Sequence, residues 1–331
     1  MVVDTETKPV KRTQKPPVED RSVEDWLSGQ YQATLDNYTY VRIITVKKNG
    51  KRKVRHTYNP APNLKTAQKI IVKELENTLP INALGHAIAW AYRKKRNVVN
   101  MAKRHVGRSY MLKVDLKDFF HSIDLNKLGT ANLDPVVIAV CGCAVKHNEG
   151  EKILLLQGAP STPVISNMLM IRTDRKLSGF CLKLSAQYGS VITVTRYSDD
   201  IVFSSNSSVV TTDTFLTKVR AIFRKVGLKL NKEKTKRLLP KQDKRVCGIN
   251  VRGATISAKR CSKRAFLTLA HRTIRDVMYG RCSPGFYLEN GVTAPIPFEK
   301  LQGMHAWLTS VEPDNIKIKA AFDLVKIYHD K

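Results

Sequence analysis

Apolar positions along this chain switch between strand-like and helical spacing, and the switches mark its elements. Residues 39–46 (TYVRIITV) and the run KVRHTY read as two strands joined through KKNGK, where Asn49-Gly50 is a strong hairpin signal. Pro60 and Pro62 end this hairpin, and Leu64, Ala67, Ile71 and Leu75 then recur at helical spacing to about residue 79. Alternation returns over 109–116 (SYMLKVDL), with Leu112, Val114 and Leu116 on one face and Lys113 and Asp115 on the other. DFFHSI then begins a helix or turn. Residues 164–188 are helical in pattern, 191–205 form a β-hairpin, and a helix around 212–226 leads into GLKLN. Past residue 260 the pattern is helical to the end, with Phe266, Ala270, Ile274 and Val277 in one stripe beside Lys263, Arg264, Arg272 and Arg275. Residues 1–21 are polar, basic and Pro-containing and read as a tail. Ser22, three residues before Asp25, starts a helix whose first core candidates are Trp26 and Leu27.

Composition turns the question from fold to partner. A chain of 331 residues with 42% hydrophobic and 26% charged residues is globular and long enough for roughly two domains. Its 57 Lys+Arg against 28 Asp+Glu give a net charge of +29, which predicts attraction to nucleic acid or to an anionic membrane surface. No apolar run approaches the ~20 residues of a membrane span, and the N-terminus lacks the apolar core of a signal peptide. Nucleic acid in the cytosol is the expected partner. The six cysteines show no zinc-like spacing and read as reduced structural thiols.

Against that basic background, Tyr197-Ser198-Asp199-Asp200 sits between two short apolar runs at the tip of the expected hairpin. Adjacent carboxylates repel, and a hard cation such as Mg²⁺ takes oxygen ligands and removes the repulsion. Asp115, at the end of its own strand, adds a third carboxylate. Three on adjacent strands can hold two ions ~3.5–4 Å apart, the arrangement used for in-line phosphoryl transfer. Alone, an Asp-Asp pair describes many solvated turns. Between the acidic elements lies Gln157-Gly158-Ala159-Pro160-Ser161-Thr162-Pro163, a loop at a helix N-terminus that can hold a nucleotide or template through backbone groups.

Taken in order, DLKDFF at 115–120, QGAPSTP-VISN at 157–167 and RYSDDIVFS at 196–204 resemble the palm motifs of reverse transcriptases. GLKLNKEKTK at 227–236 resembles the next motif, and KNGKRKVRHTYNPAPNLKTAQ resembles the fingers, so the resemblance covers roughly residues 38–310. Asn82-Ala83-Leu84-Gly85-His86 fits the N-A-x-x-H signature of bacterial retron reverse transcriptases, and Val246-Cys247-Gly248 sits where they carry V-T-G. LQGMHAWLTSVEPDN looks like their thumb helix, and the short C-terminus is like that of a compact retron enzyme. Three positions depart from the pattern: Ser198 replaces the commoner Ala, Ser161-Thr162 inverts the usual order, and Cys247 exchanges a hydroxyl for a weakly bonding thiol.

The resemblance implies an α+β fold, a right-hand polymerase with an antiparallel palm sheet and a helical thumb. Residues 1–21 would be a basic tail, 22–108 the fingers, 109–240 the palm with part of the fingers interleaved, and 241–331 the RNA-binding thumb. It implies RNA-directed DNA synthesis with two Mg²⁺ ions, Mn²⁺ as a substitute, and Asp115, Leu116, Asp199 and Asp200 at the metals. Phe120 would be the steric gate against ribonucleotides, Gln157 would touch the incoming nucleotide, and Arg55 and Lys53 would hold its triphosphate. RNA would be held by Asn82, His86, Arg93, Lys94, Val246, Cys247, Gly248, Lys263, Arg264 and Arg272. The implied partners are dNTPs, a cognate non-coding RNA of the msr-msd type primed from a guanosine 2′-hydroxyl to give branched msDNA, and a separate effector in cytoplasmic anti-phage defence. Two alternatives stand beside this one. A group II intron-like or other bacterial reverse transcriptase is opposed by the short C-terminus and NALGHA. A catalytically silent RNA-binding scaffold is opposed by the carboxylates, which in an idle basic groove would only repel the ligand.

Overall fold

Register and capping organise the N-terminal elements in the computed structural model, which describes residues 10–13, 20–46, 52–125, 133–147, 150–279, 286–289, 292–295 and 298–329. Within the stretch read as a tail, β1 (Val10–Thr13) pairs antiparallel with β2 (Tyr38–Val46), which pairs in turn with β3 (Arg52–Pro60). The helix expected at Ser22 is α1 (Val23–Leu27), capped where the Ser22 hydroxyl accepts the Asp25 N–H at 3.0 Å. α2 (Pro62–Thr78) starts with Pro at its first turn and buries Leu64, Ala67 and Ile71.

The chain divides into two compact units, the larger from Glu6–Asn97 and Ser109–Pro240 and the smaller from Val98–Arg108 and Lys241 onward. In chain order the next elements are α3 (Val98–Lys103), β4 (Tyr110–Asp115), α4 (Pro135–Cys141), β5 (Cys143–His147) and β6 (Gly150–Leu154). α5 (Thr162–Gln187), β7 (Thr193–Tyr197), β8 (Asp200–Ser205), α6 (Asp213–Arg224) and β9 (Lys236–Leu238) complete the larger unit. Its centre is an antiparallel sheet ordered β7-β8-β4-β9. Alternation over 109–116 predicts one apolar face, yet Met111 and Asp115 are buried along with Leu112 and Val114, so residues on both faces of β4 are out of solvent. Leu112, Val114, Ile201 and Phe203 of the sheet meet Ile165 and Leu177 of α5 and Phe215 and Val219 of α6 in one core.

The smaller unit holds α3, the two-residue strands β10 (Arg245–Val246) and β11 (Ile249–Asn250), α7 (Arg260–Met278), β12 (Phe286–Glu289), β13 (Val292–Pro295), α8 (Phe298–Val311) and α9 (Ile316–His329). Phe266 and Ala270 of α7, Leu301 and Leu308 of α8 and Phe322 and Val325 of α9 form its core. The expectation of helix from 260 to the end is corrected here. β12 pairs with β13 between α7 and α8, and the sequence signal for it is FYLENGV, an Asn-Gly flanked by aromatic and β-branched residues. Among the described residues no helix is long and apolar enough to cross a membrane.

Candidate active site

The acidic turn is a product of strand register. Tyr197 pairs with Asp200 at the end of the β7–β8 hairpin, which leaves Ser198 and Asp199 as its two-residue turn. Such turns need positive φ at a central position, and Ser198 supplies it at 58°. β8 also pairs with β4, so Asp115 lies directly opposite Asp200. Facing Cβ atoms of an antiparallel pair stand ~4.5–5.5 Å apart, and two carboxylates therefore share one end of the sheet. Leu116 is buried, and its N–H donates to the Asp199 carbonyl at 3.0 Å. Burial raises the pKa of Asp199, and the charges of Asp115 and Asp200 push it further in the same direction.

Lys234 answers that charge. Its Nζ donates to both Asp115 oxygens, at 2.8 and 2.9 Å. The segment that delivers it runs beside the end of β4: the Asn231 N–H donates to the Asp115 carbonyl at 2.7 Å and Leu230 bridges to Leu116. Asn231 then shapes the turn. Its Oδ1 accepts from the Glu233 N–H at 3.1 Å, and its carbonyl accepts the Thr235 hydroxyl at 2.8 Å. Burial alone would lower the Lys234 pKa, but the hydrogen bond to Asp115 and the three surrounding carboxylates outweigh it and hold the ammonium charged. In the sequence, GLKLNKEKTK resembles a polymerase motif, and no part in the site was expected of Lys234.

Among the described residues no three carboxylate, imidazole or thiol groups stand ready together as a cation cage. The donor set still fits Mg²⁺, because two facing carboxylates and a third with a raised pKa are oxygen ligands whose repulsion a hard cation relieves. Lys234 performs that neutralisation in this structure.

Phe120 opens a short 3-10 turn, half-buried against Phe119 with ring centroids 5.2 Å apart. The Gln157 carbonyl accepts the Tyr58 N–H of β3 at 2.7 Å, which ties the QGAP loop to the N-terminal hairpin. Gly158 has φ 114°, and a Cβ there would meet the Tyr58 carbonyl at 2.7 Å, so this contact requires glycine. Arg55 is exposed on β3, opposite Ile43, and Lys53 lies two residues before it on the same strand, opposite Thr45.

The expected RNA-binding residues divide. Asn82 is exposed, whereas His86 is half-buried, and burial lowers its pKa. Arg93 turns inward: it donates to the carbonyls of His86 at 2.6 Å, Ile81 at 2.7 Å and Ala89 at 3.3 Å, so its guanidinium braces NALGHA from within. Lys94 is exposed and pairs with Glu76 at 2.8 Å. Val246 is buried and pairs with Ile249, leaving Cys247 and Gly248 as a turn with φ 46° and 87°. Lys263 is committed to Glu312 at 3.0 Å, while Arg264 and Arg272 are exposed on α7. A second feature absent from the sequence reading is the wholly buried Arg196, paired with Asp174.

Fold and site together define a member of a known class: the chain belongs to the reverse transcriptase (RNA-dependent DNA polymerase) family, whose family model matches residues 46–267. The α+β polymerase fold expected from the motifs follows from that membership. The chain is similar to the retron Mx65 reverse transcriptase of Myxococcus xanthus, 28% identical over 259 residues, which covers 72% of this chain and 56% of that protein. It is also similar to the retron Ec86 reverse transcriptase of Escherichia coli, 30% identical over 218 residues, covering 63% and 62%. The chain thus spans less than two thirds of the length of either relative. These matches bear out the resemblance to retron reverse transcriptases. Among solved structures it is similar to apo telomerase from Candida tropicalis, with a TM-score of 0.47 and 12% identity over 96% of this chain and 59% of that one.

Proposed function

We propose that this chain is an RNA-directed DNA polymerase of the retron type. The observation that carries the reading is the register that sets Asp115 opposite Asp200, with Asp199 in the adjoining turn, in a chain of this family. Two Mg²⁺ ions, when bound, supply activation of the attacking sugar hydroxyl and neutralisation of the leaving pyrophosphate. Asp115, Asp199 and Asp200 would hold those ions, beside Lys234, whose ammonium already neutralises Asp115. Phe120 sets its ring against the sugar 2′ position and disfavours ribonucleotides. Gln157 contacts the incoming dNTP, and Arg55 and Lys53 draw in its triphosphate. Residues 22–108 act as fingers, 109–240 as palm with part of the fingers interleaved, and 241–331 as thumb.

The retron reading is supported by the two relatives and by NALGHA. In it, the chain copies part of a cognate structured RNA of the msr-msd type, starting from a guanosine 2′-hydroxyl, in the bacterial cytoplasm. The product is branched msDNA, and a separate effector protein turns it to anti-phage defence.

Purified protein with Mg²⁺, dNTPs and a primed RNA template extends the primer, and Asp199→Asn or Asp200→Asn lowers the rate by ~10³-fold or more. Given the structured RNA encoded beside its gene, it makes a branched RNA–DNA product without added primer. Primer extension with no branched product assigns it to the other bacterial reverse transcriptases. RNA binding without synthesis makes it a silent scaffold.

A further inference from the structure

Arg196 lies on β7 three residues before Asp199, with its side chain wholly out of solvent. Its guanidinium forks onto Asp174 of α5, Nε to Oδ1 at 2.8 Å and Nη2 to Oδ2 at 2.7 Å, and Nη2 also donates to Asn167 Oδ1 at 3.1 Å. Nη1 lies outside this fork and donates to the carbonyl of Ser198 at 3.2 Å. The main chain of Arg196 is held as firmly. Its N–H donates to Ile88 at 2.7 Å and its carbonyl accepts from Trp90 at 2.8 Å, while Asn167 Nδ2 donates to Ala91 at 2.8 Å.

A buried Arg–Asp pair is a poor way to stabilise a fold. Desolvation offsets the attraction, and apolar residues of similar volume hold a core as well or better. An apolar pair, however, cannot aim a donor at a chosen carbonyl. The peptide on each side of the Asp199 Cα is fixed in this structure: the Ser198 carbonyl by Arg196, and the Asp199 carbonyl by the Leu116 N–H at 3.0 Å. Ser198 meanwhile sits in the left-handed region, which a non-glycine residue adopts at a cost and keeps only where its surroundings hold it.

We propose that Arg196 is a positioning residue: with Asp174 and Asn167 it fixes the Ser198–Asp199 peptide, and so holds the Asp199 and Asp200 carboxylates at the spacing a divalent cation requires. This rests on the reading of the site as a metal-dependent polymerase centre. It also ties the carboxylates to α5, whose N-terminus follows the QGAPSTP loop, and to the segment after NALGHA.

Arg196→Lys tests it, since one ammonium keeps Asp174 charged-paired but cannot span Asp174, Asn167 and Ser198 at once. The full chain should melt within a few degrees of the parent. Mn²⁺ binding, read by electron paramagnetic resonance on protein free of nucleic acid, should weaken by ~10-fold, and kcat should fall by ~10-fold or more while the dNTP KM moves less than ~2-fold. A folded Arg196→Lys protein with parental Mn²⁺ affinity and kcat overturns the proposal. If Arg196→Lys does not fold, the double variant Arg196→Met/Asp174→Leu decides. Folded protein with weakened Mn²⁺ binding upholds positioning, whereas parental binding, or failure of this variant to fold as well, assigns the pair to stability and overturns it. Failure of the polymerase reading would show differently, in parent protein that binds Mn²⁺ but extends no primer.

Discussion

Asp199 is where function and stability oppose each other. Its carboxyl is held above the ordinary value of 3.8 first by burial and then by the charge of Asp115. A carboxyl with a raised folded pKa binds its proton more tightly in the folded chain than in the unfolded one. Its contribution to stability is therefore present at low pH and is lost as the pH rises from the unfolded value through the folded one. Asp199→Asn removes the ionising group and keeps the shape. In the absence of divalent ions this variant should melt a few degrees above the parent at neutral pH, with the gain vanishing toward pH 3.8, while synthesis is lost. Thermal melts of both proteins across pH 3.5 to 7.5, about the range that spans both states, check the sign. A parent that gains stability relative to the variant as pH rises would contradict it. Lys234 limits the size of the effect, because its ammonium already offsets part of the repulsion at Asp115.

At the scale of elements, the site depends on contacts that join segments far apart in sequence. The QGAP loop meets β3 through Tyr58 and Gln157, and Gly158 lets the backbones close. Gly158→Ala places a methyl at 2.7 Å from the Tyr58 carbonyl and forces φ 114° on an L-residue. Destabilisation of about 1–3 kcal/mol is expected, together with a higher dNTP KM as Gln157 shifts. Denaturant unfolding and steady-state kinetics read the two effects, and a variant unchanged in both would show that the loop does not rely on this contact. The same distinction explains what the sequence disclosed. The β2–β3 hairpin, α2, α5 and the β7–β8 hairpin were legible because each rests on local periodicity and a turn signal. Lys234 reaches Asp115 across 119 positions and Arg196 reaches Asp174 across 22, and no local pattern encodes such pairings. Arg93 and Lys263 were expected at RNA for the same reason, since their carbonyl and carboxylate partners are set by tertiary packing. The β12–β13 hairpin was legible in principle from its Asn-Gly, and the helical stripes on either side obscured it.

For the molecule as a whole, the decisive quantity is the excess of 29 positive charges. Many of them face solvent without serving the fold: Arg42, Arg55, Lys103 and Arg104 are exposed, as are Arg264, Arg272, Lys317 and Lys319. Like charges at such density repel one another, so the folded chain tolerates them only at some cost in stability. A polyanion removes that cost and releases its own condensed counterions on binding. If about six of these cations meet phosphates, the association constant for RNA should fall ~10³-fold between 50 and 200 mM salt, a logarithmic slope near −5. Fluorescence anisotropy with a labelled structured RNA measures the slope directly. Replacing Arg264 and Arg272 by Gln should make it shallower by about one to two, because each phosphate contact contributes just under one unit. The same substitutions leave the carboxylates of the sheet untouched, so synthesis at saturating RNA should persist. A slope near zero, or one that Arg264 and Arg272 do not alter, would mean that the charge serves something other than phosphate contact on α7.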